Sequence, residues 1–263
     1  MTTKTAIRVV SMPNAEARRK TFCRDAQDAR HDWEFFSAYS AVASPLVYDK
    51  DLAKKRFGRE LHPGELGCYV SHYKLWEWFA ASEFDQLIVF EDDVLIDWMA
   101  INEIAKHNLA SLGIDLVKFY ATHDFKIKEK LYRFASPHAH LFRVKGLILG
   151  TQGYVMSKKA ARELLRVAKQ IYLPIDWVMA RYWDYGVPNY CYFPFPVIER
   201  FVPSAIGDER HASAPPPLSD RASRLQWRIM DRLRRELLES AISRKAIHRH
   251  RDDGAMFLQT STS

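Results

Sequence analysis

Apolar and polar positions follow two periods along this chain, and their order predicts strands alternating with helices. Ile7-Arg8-Val9-Val10-Ser11 reads as a first strand, broken by Met12-Pro13-Asn14. Residues 15–26 read as a helix with Arg18 and Arg19 on its first turns, and residues 33–36 as a second strand. Residues 41–61 are polar and mixed, and read as a mobile connection. Pro63-Gly64-Glu65 opens a strong helix. Leu66, Tyr69 or Val70, Tyr73, Trp76 and Phe79 recur there at helical spacing and predict a core stripe. The apolar run Leu87-Ile88-Val89-Phe90 predicts a buried strand, and Glu91, Asp92 and Asp93 follow it without a break.

The second half continues the alternation. Residues 98–108 read as helical and 114–120 as a strand, while 125–142 are basic and irregular with scope for strands. Two apolar runs flank Gly150-Thr151-Gln152-Gly153. This glycine pair either lets a ligand approach the backbone or marks only a tight bend. Ser157 caps a helix over 158–169. Pro174 holds the chain before it away from helix, and Asp176 reads as the N-cap of the next helix. Residues 190–193 are a short strand. Residues 213–219, with three consecutive prolines, are a linker. In the helix expected over 222–243, Ile229, Met230, Leu233, Leu237 and Ala241 form one face, and Arg224, Arg228, Arg232 and Arg235 the opposite one. Such a basic amphipathic helix can dock on its own domain, lie on an anionic bilayer or bind nucleic acid. The pattern as a whole implies an α/β fold with a mostly parallel sheet and ligands at the carboxyl ends of its strands. The expected organisation is a domain over 1–212, a linker over 213–221 and a helical tail over 222–263.

Composition narrows this picture. A chain of 263 residues with 15 Phe, 12 Tyr and 7 Trp suits one sizeable domain with an appendage. Cys23, Cys68 and Cys191 are far apart, with no Cys-x-x-Cys, which indicates neither a disulfide framework nor a zinc ribbon and fits a reducing compartment. The first apolar run is short and interrupted by Arg8, so no secretory signal is expected. No stretch approaches the roughly 18 apolar residues of a membrane span. The net charge is +7. Residues 221–251 hold ten Lys and Arg against three acids, so that stretch carries the whole excess and the rest of the chain sums to neutral. A neutral domain bearing an acidic cluster argues against a nucleic-acid partner.

Clustered carboxylates at a strand's end are costly unless a cation sits against them. Either a divalent metal with a phosphate-bearing ligand sits there, or the cluster is a solvated acidic turn. Strand alternation would point Glu91 and Asp93 one way and Asp92 the other, with Asp93 the best placed metal ligand. Arg18 and Arg19, near the end of a first parallel strand, suit either a nucleotide's base and phosphates or plain solvent. Spacing alone assigns His72 no role. A metal-dependent phosphoesterase or nuclease would also use clustered acids, but it would need further Asp or His pairs that are not found.

Five stretches in order resemble one family. They are Val9-Val10-Ser11-Met12 with Ala17-Arg18-Arg19; Gly64-Glu65-Leu66-Gly67-Cys68-Tyr69-Val70-Ser71-His72; Val89-Phe90-Glu91-Asp92-Asp93-Val94; Gly150-Thr151-Gln152-Gly153-Tyr154 with Ser157-Lys158-Lys159-Ala160; and Pro174-Ile175-Asp176. Together they resemble the family 25 glycosyltransferases, especially bacterial enzymes that add galactose to lipopolysaccharide or lipooligosaccharide. Pro13-Asn14 departs from the polar run usual before the arginines. The resemblance covers about residues 6–210, and the basic helix is similar to the tails of those enzymes.

The resemblance implies a single GT-A-like nucleotide-sugar-binding domain, a UDP-hexose donor (usually UDP-galactose) and inversion to a β-linked product. Another UDP-sugar stays open. It implies that Glu91, Asp92 and Asp93 take the part of the Asp-x-Asp element, with Mn²⁺ or Mg²⁺. Donor contacts would come from Ser11, Arg18, Arg19, Ser71 and His72, and sugar or acceptor contacts from Thr151, Gln152 and Gly153. Asp176, in the family's Pro-x-Asp element, would be the base. The acceptor would be a lipid-linked oligosaccharide at the cytoplasmic face of the inner membrane, with the tail helix holding the enzyme against that anionic surface.

Overall fold

A computed structural model describes residues 3–121, 125–131, 133–200 and 218–252, with side chains in the last segment from 224 to 242. The first half runs β1 (Thr5–Ser11), α1 (Glu16–Asp25), β2 (Trp33–Ser37), β3 (Val47–Tyr48), α2 (Lys50–Arg56), α3 (Pro63–Ala81), β4 (Gln86–Glu91), β5 (Val94–Ile96) and α4 (Trp98–Ile104). The second runs β6 (Leu116–Lys118), β7 (Lys126–Leu131), β8 (His140–Lys145), β9 (Gly153–Ser157), α5 (Lys158–Val167), β10 (Gln170–Ile171), α6 (Ile175–Ala180), α7 (Tyr182–Tyr185), β11 (Tyr190–Phe193), β12 (Val197–Glu199) and α8 (Leu218–Asp252). Eight strands form one sheet in the order β2-β1-β4-β9-β6-β11-β8-β7. The sheet is mixed but mostly parallel: six strands point one way, and β8 and β9 run against them. The carboxyl ends of β1, β4, β6 and β11 therefore share one edge.

Each face of the sheet buries a core. Tyr69, Tyr73, Trp76 and Phe79 of α3 pack with Val89, Tyr154 and Met179 on one face. Ile88, Phe90, Phe119 and Tyr192 pack with Phe22 of α1 and Trp98 and Ile101 of α4 on the other. The expected stripe of α3 is thus core, and α3 starts at a His62 capping box. Ser157 caps α5, accepting from the Ala160 amide at 3.2 Å.

Two local expectations need correction. Residues 41–61 are not all connection, because β3 pairs with β10 and α2 is capped by Asp49. With seven residues and Ala53 as its one buried side chain, α2 has no apolar period to read. Asp176 is not an N-cap either. Pro174 occupies that position and Asp176 lies inside the first turn, its carboxylate turned elsewhere.

The last helix starts at Leu218, earlier than expected, so 218–221 of the expected linker are helical; its other residues lie outside those described, as do 253–263. The helix docks on the domain, but not by its leucine stripe. Glu239 accepts from Arg143 at 2.9 Å and from the Tyr182 hydroxyl at 2.7 Å. Arg181 donates to Asp231 at 2.7 Å and stacks over Trp227 at 4.4 Å. Glu236 accepts from Lys145 at 2.7 Å. The acids of a basic helix are thus the groups that hold it.

Glu239 and Arg143 are 6% and 4% exposed. Glu239→Ala leaves the buried guanidinium with the 3.3 Å contact to Glu129 as its one ion pair among the described residues, so the variant should lose about 3 kcal/mol of unfolding free energy. Urea denaturation that gives the wild-type midpoint would show that α8 is not part of the folded unit.

Candidate donor and metal site

β4 ends at Glu91, and Asp92 and Asp93 form the turn into β5. The turn breaks strand alternation, which corrects the expected sharing of directions. Asp92 and Asp93 face a common partner, while Glu91 turns to a different set of groups. Arg18, one turn into α1, donates to Asp92 Oδ1 at 3.2 Å and to Asp93 Oδ2 at 3.3 Å. Ser11, the last residue of β1, donates to Asp92 Oδ2 at 2.7 Å. Arg19 donates to Ser11 Oγ at 3.0 Å and lies over the Phe35 ring. Of the two arginines, Arg18 touches the acids and Arg19 braces the serine that holds one of them.

Asp93 Oδ1 is buried with no hydrogen-bond partner among the described residues. Burial, then the charge of Glu91, raises the Asp93 pKa to about 6 despite Arg18; Asp92 and Glu199 add to the push. An orphan carboxylate oxygen in a crowd of acids, all hard oxygen donors, fits Mn²⁺ or Mg²⁺.

Glu91 heads the inner group. Thr151 donates a short hydrogen bond to Glu91 Oε1, and His72 Nε2 lies 3.8 Å from the same oxygen. Burial alone pushes the Glu91 carboxyl up, but His72, Thr151 and Lys118 outweigh it and hold the pKa below the usual value. Trp76 Nε1 donates to the Tyr154 hydroxyl at 2.8 Å, and Tyr154 lies 2.9 Å from His72 Nδ1. With Trp76 donating to Tyr154 and Tyr154 to Nδ1, the hydrogen falls on Nε2, which is buried, faces Glu91 beyond hydrogen-bond distance and has no hydrogen-bond partner among the described residues. Cys68, His72 and Glu91 gather their ligand atoms within 4.8 Å, as a soft-metal site would. A hydrogen on Nε2 leaves no lone pair there for a metal, and Cys68 Sγ contacts Thr151 Oγ1 at 3.8 Å, so the trio reads as a carboxylate beside an imidazole and a thiol.

Lys118 underlies this group. It is fully buried, donates to Gly150 O at 2.7 Å, and burial lowers its pKa to about 8 despite Asp176 and Glu91 nearby. Gly150, at φ +101°, donates to Asp176 Oδ2 at 3.2 Å, and the Trp177 amide donates to Oδ1 at 2.8 Å. Lys118 and Asp176 thus clamp one left-handed glycine. Burial raises the Asp176 pKa. Each of its oxygens keeps a second lone pair.

Other expected residues land differently. Ser71 donates back to Gly67 O at 2.6 Å and accepts from the Tyr39 amide, so it ties α3 to the chain after β2 and offers nothing to the cleft. Gly153 is a strand residue opposite Phe90, and a Cβ there would come within 2.9 Å of Val197. Gln152 donates to Glu199 at 3.4 Å, and its Oε1 is buried without a partner among the described residues. Sequence reading missed Lys118, Cys68, Tyr154 and Glu199. Lys118 had a visible signal: a lysine inside the apolar run Leu116-Val117-Lys118-Phe119. Glu199 had none.

The sequence profile described as "Glycosyltransferase family 25 (LPS biosynthesis protein)" matches residues 4–179. The chain belongs to glycosyltransferase family 25. Lipooligosaccharide biosynthesis protein lex-1 of Haemophilus influenzae is 25% identical over 203 residues, 65% of this chain and 66% of that protein. Lipooligosaccharide biosynthesis protein lic2B of Haemophilus influenzae is 24% identical over 162 residues, 59% of this chain and 60% of that one. Procollagen galactosyltransferase 1-A of Xenopus laevis is 26% identical over 184 residues, 64% of this chain and 29% of that one. The chain therefore spans less than two thirds of the length of each relative. The match includes Ser11, Arg18, Glu91, Asp93, Thr151 and Asp176.

The crowding at Asp93 has a pH signature. With a pKa raised to about 6, the folded state binds more protons than the unfolded one between the ordinary carboxyl value and 6. Stability therefore falls as pH rises through that window, and the penalty is complete above it. Metal-free Asp93→Asn should be more stable than wild type at pH 8 by about 1 kcal/mol, allowing for partial exposure, with no difference near about pH 3.5. Thermal unfolding of both proteins in chelator at the two pH values checks this. A wild type as stable as the variant at pH 8 would contradict the crowding.

Proposed function

We propose that the chain is a metal-dependent inverting glycosyltransferase that moves a hexose, galactose from UDP-galactose first among the candidates, to a lipid-linked saccharide of lipopolysaccharide or lipooligosaccharide. The observation that carries this reading is the partnerless Asp93 oxygen beside Arg18, at the sheet edge that also bears Asp176. The galactose assignment draws on the frog relative, and the acceptor class on the two Haemophilus relatives.

In this reading Asp93 would hold Mn²⁺ or Mg²⁺ directly, with Asp92 or Glu91 assisting through water or ribose contacts. When bound, the metal would offset the negative charge that develops on the departing diphosphate. Arg18 is placed to turn from its acids to a phosphate, and Ser11 and Arg19 line the nucleotide's side. Glu91, kept ionised by Thr151 and His72, can accept a hydrogen bond from a sugar hydroxyl. Asp176 takes the proton of the attacking acceptor hydroxyl. Its raised pKa suits a base that must hold a proton once it has one.

The membrane reading rests on α8. Leu225, Ile229, Leu233 and Leu237 are 61%, 52%, 53% and 72% exposed while the opposite face is docked. Arg228 and Arg232 flank that stripe and are exposed. An unpartnered apolar stripe beside arginines suits an anionic bilayer, where each basic group adds about 1 kcal/mol. Among the described residues no helix is long and apolar enough to cross a membrane. The enzyme would sit peripherally on the cytoplasmic face.

The reading is tested by a panel of UDP-galactose, UDP-glucose and their N-acetyl forms, with Mn²⁺ and a lipooligosaccharide acceptor, read by mass. One hexose should transfer, and thorough chelation should abolish it. Asp176→Asn should lower kcat by about 10²–10⁴ with little change in donor affinity; full turnover would remove Asp176 from the base role. The Leu233→Ser, Leu237→Ser double variant should stay folded and lose co-sedimentation with anionic liposomes. Retained sedimentation would end the membrane reading.

A further inference from the structure

Lys118 is paired with Cys191, and Cys191 with Phe142, so their side chains share one sheet face. Phe193 shares it too, two residues beyond Cys191. Tyr154, opposite both Val89 and Lys118, extends that face to β4, where alternation adds Glu91. One face therefore runs from Glu91 through Lys118 to Phe193, and all three sit at carboxyl ends of their strands.

At its far end this face carries an aromatic shelf. Phe193 is 44% exposed, stacks on Phe142 at 5.8 Å between ring centres, and meets Phe195 edge-on at 5.8 Å. A large aromatic ring left exposed at the end of an otherwise buried strand lacks the cover that the rest of β11 has. From Lys118 to Phe193 is one strand spacing across and two residues along, about 8 Å. Beyond Phe142 on the same face comes Lys130 of β7, half-buried and without an ion pair among the described residues.

We propose that Phe193, backed by Phe142 and Phe195, is the acceptor platform: the sugar next to the attacked residue lies on the Phe193 ring, and Lys130 meets an anionic substituent further along. The proposal rests on the transferase reading. Rings flanking a polar centre are how saccharide sites combine apolar contact with a few directed polar groups. The occupant is an oligosaccharide because the shelf stands at the same carboxyl edge of the sheet as Glu91, the group to which the transferase reading gives a sugar hydroxyl, while Lys118, Cys191 and Tyr154 between them are buried. The occupant is anionic because the group at the outer edge is a lysine.

The probe is a core oligosaccharide released from lipooligosaccharide by mild acid, used before and after dephosphorylation. Its binding is measured by calorimetry in UDP and Mn²⁺, so no turnover is needed. Phe193→Ala should weaken binding about tenfold, and Phe193→Tyr should retain it. Lys130→Gln should remove both the salt dependence and the preference for the phosphorylated form. UDP affinity should be unchanged in all three. Circular dichroism checks that the variants are folded, and an exposed ring leaves little stability to lose.

Wild-type affinity in Phe193→Ala, or no binding of either oligosaccharide to wild type, overturns the platform. Retained salt dependence in Lys130→Gln overturns the anionic part. Hexose transfer from the UDP-hexose panel to the lipooligosaccharide acceptor by wild type is followed separately. If it is absent while Phe193→Ala still loses saccharide binding, the transferase reading fails and the platform stands.

Discussion

Carboxylate crowding at the end of β4 is the constraint on which the site depends. Glu91, Asp92 and Asp93 are consecutive, and Glu199 adds a fourth charge from β12. The fold holds them by giving each different company. Asp92 has Ser11 and Arg18, Glu91 has the Thr151 hydroxyl with the His72 ring nearby, and Asp93 keeps half of Arg18 and one oxygen unmatched among the described residues. The turn after Glu91 makes this division possible. A strand continued through Asp93 would have put Glu91 and Asp93 side by side on one face, with the repulsion that implies.

The inner group is a buried polar network with one open link. Trp76 and Tyr154 form a directed chain of donors that ends on His72, whose Nε2 faces Glu91 at 3.8 Å with no hydrogen-bond partner among the described residues. Lys118 and Asp176 then fix the glycine turn whose next residue, Thr151, supplies the donor to Glu91. Each group is buried at a cost that its partners offset, and removing one exposes the next. Such a network rigidifies this edge of the sheet.

Much of this was legible in the sequence where one period ran long enough. The α3 stripe and the helix after Ser157 are legible because a long period or a cap constrains each, and the β4 run because four consecutive apolar residues end in three carboxylates. The carboxylates were legible as a cluster, but their directions were not, since the turn at Asp92 is set by pairing of β5 with β12 far along the chain. Asp176 was located by its motif, while its bond to Gly150 depends on a contact 26 residues away. Ser71 was misplaced because a hydroxyl in a helix can close on its own backbone, leaving no trace in spacing. The basic helix was seen as amphipathic. Which face would dock was hidden, because Asp231, Glu236 and Glu239 are few among the arginines and yet are the groups that find Arg181, Lys145 and Arg143.

The central claim is that Asp93 and its neighbours form a metal–nucleotide site. Its most direct measurement is an electron paramagnetic resonance titration of Mn²⁺ with wild type and Asp93→Ala, each with and without UDP. Binding should deplete the free-ion signal at one site per wild-type chain, UDP should tighten it, and Asp93→Ala should lose it while remaining folded. Equal Mn²⁺ binding by the two proteins, or none by wild type in the presence of UDP, would contradict the account.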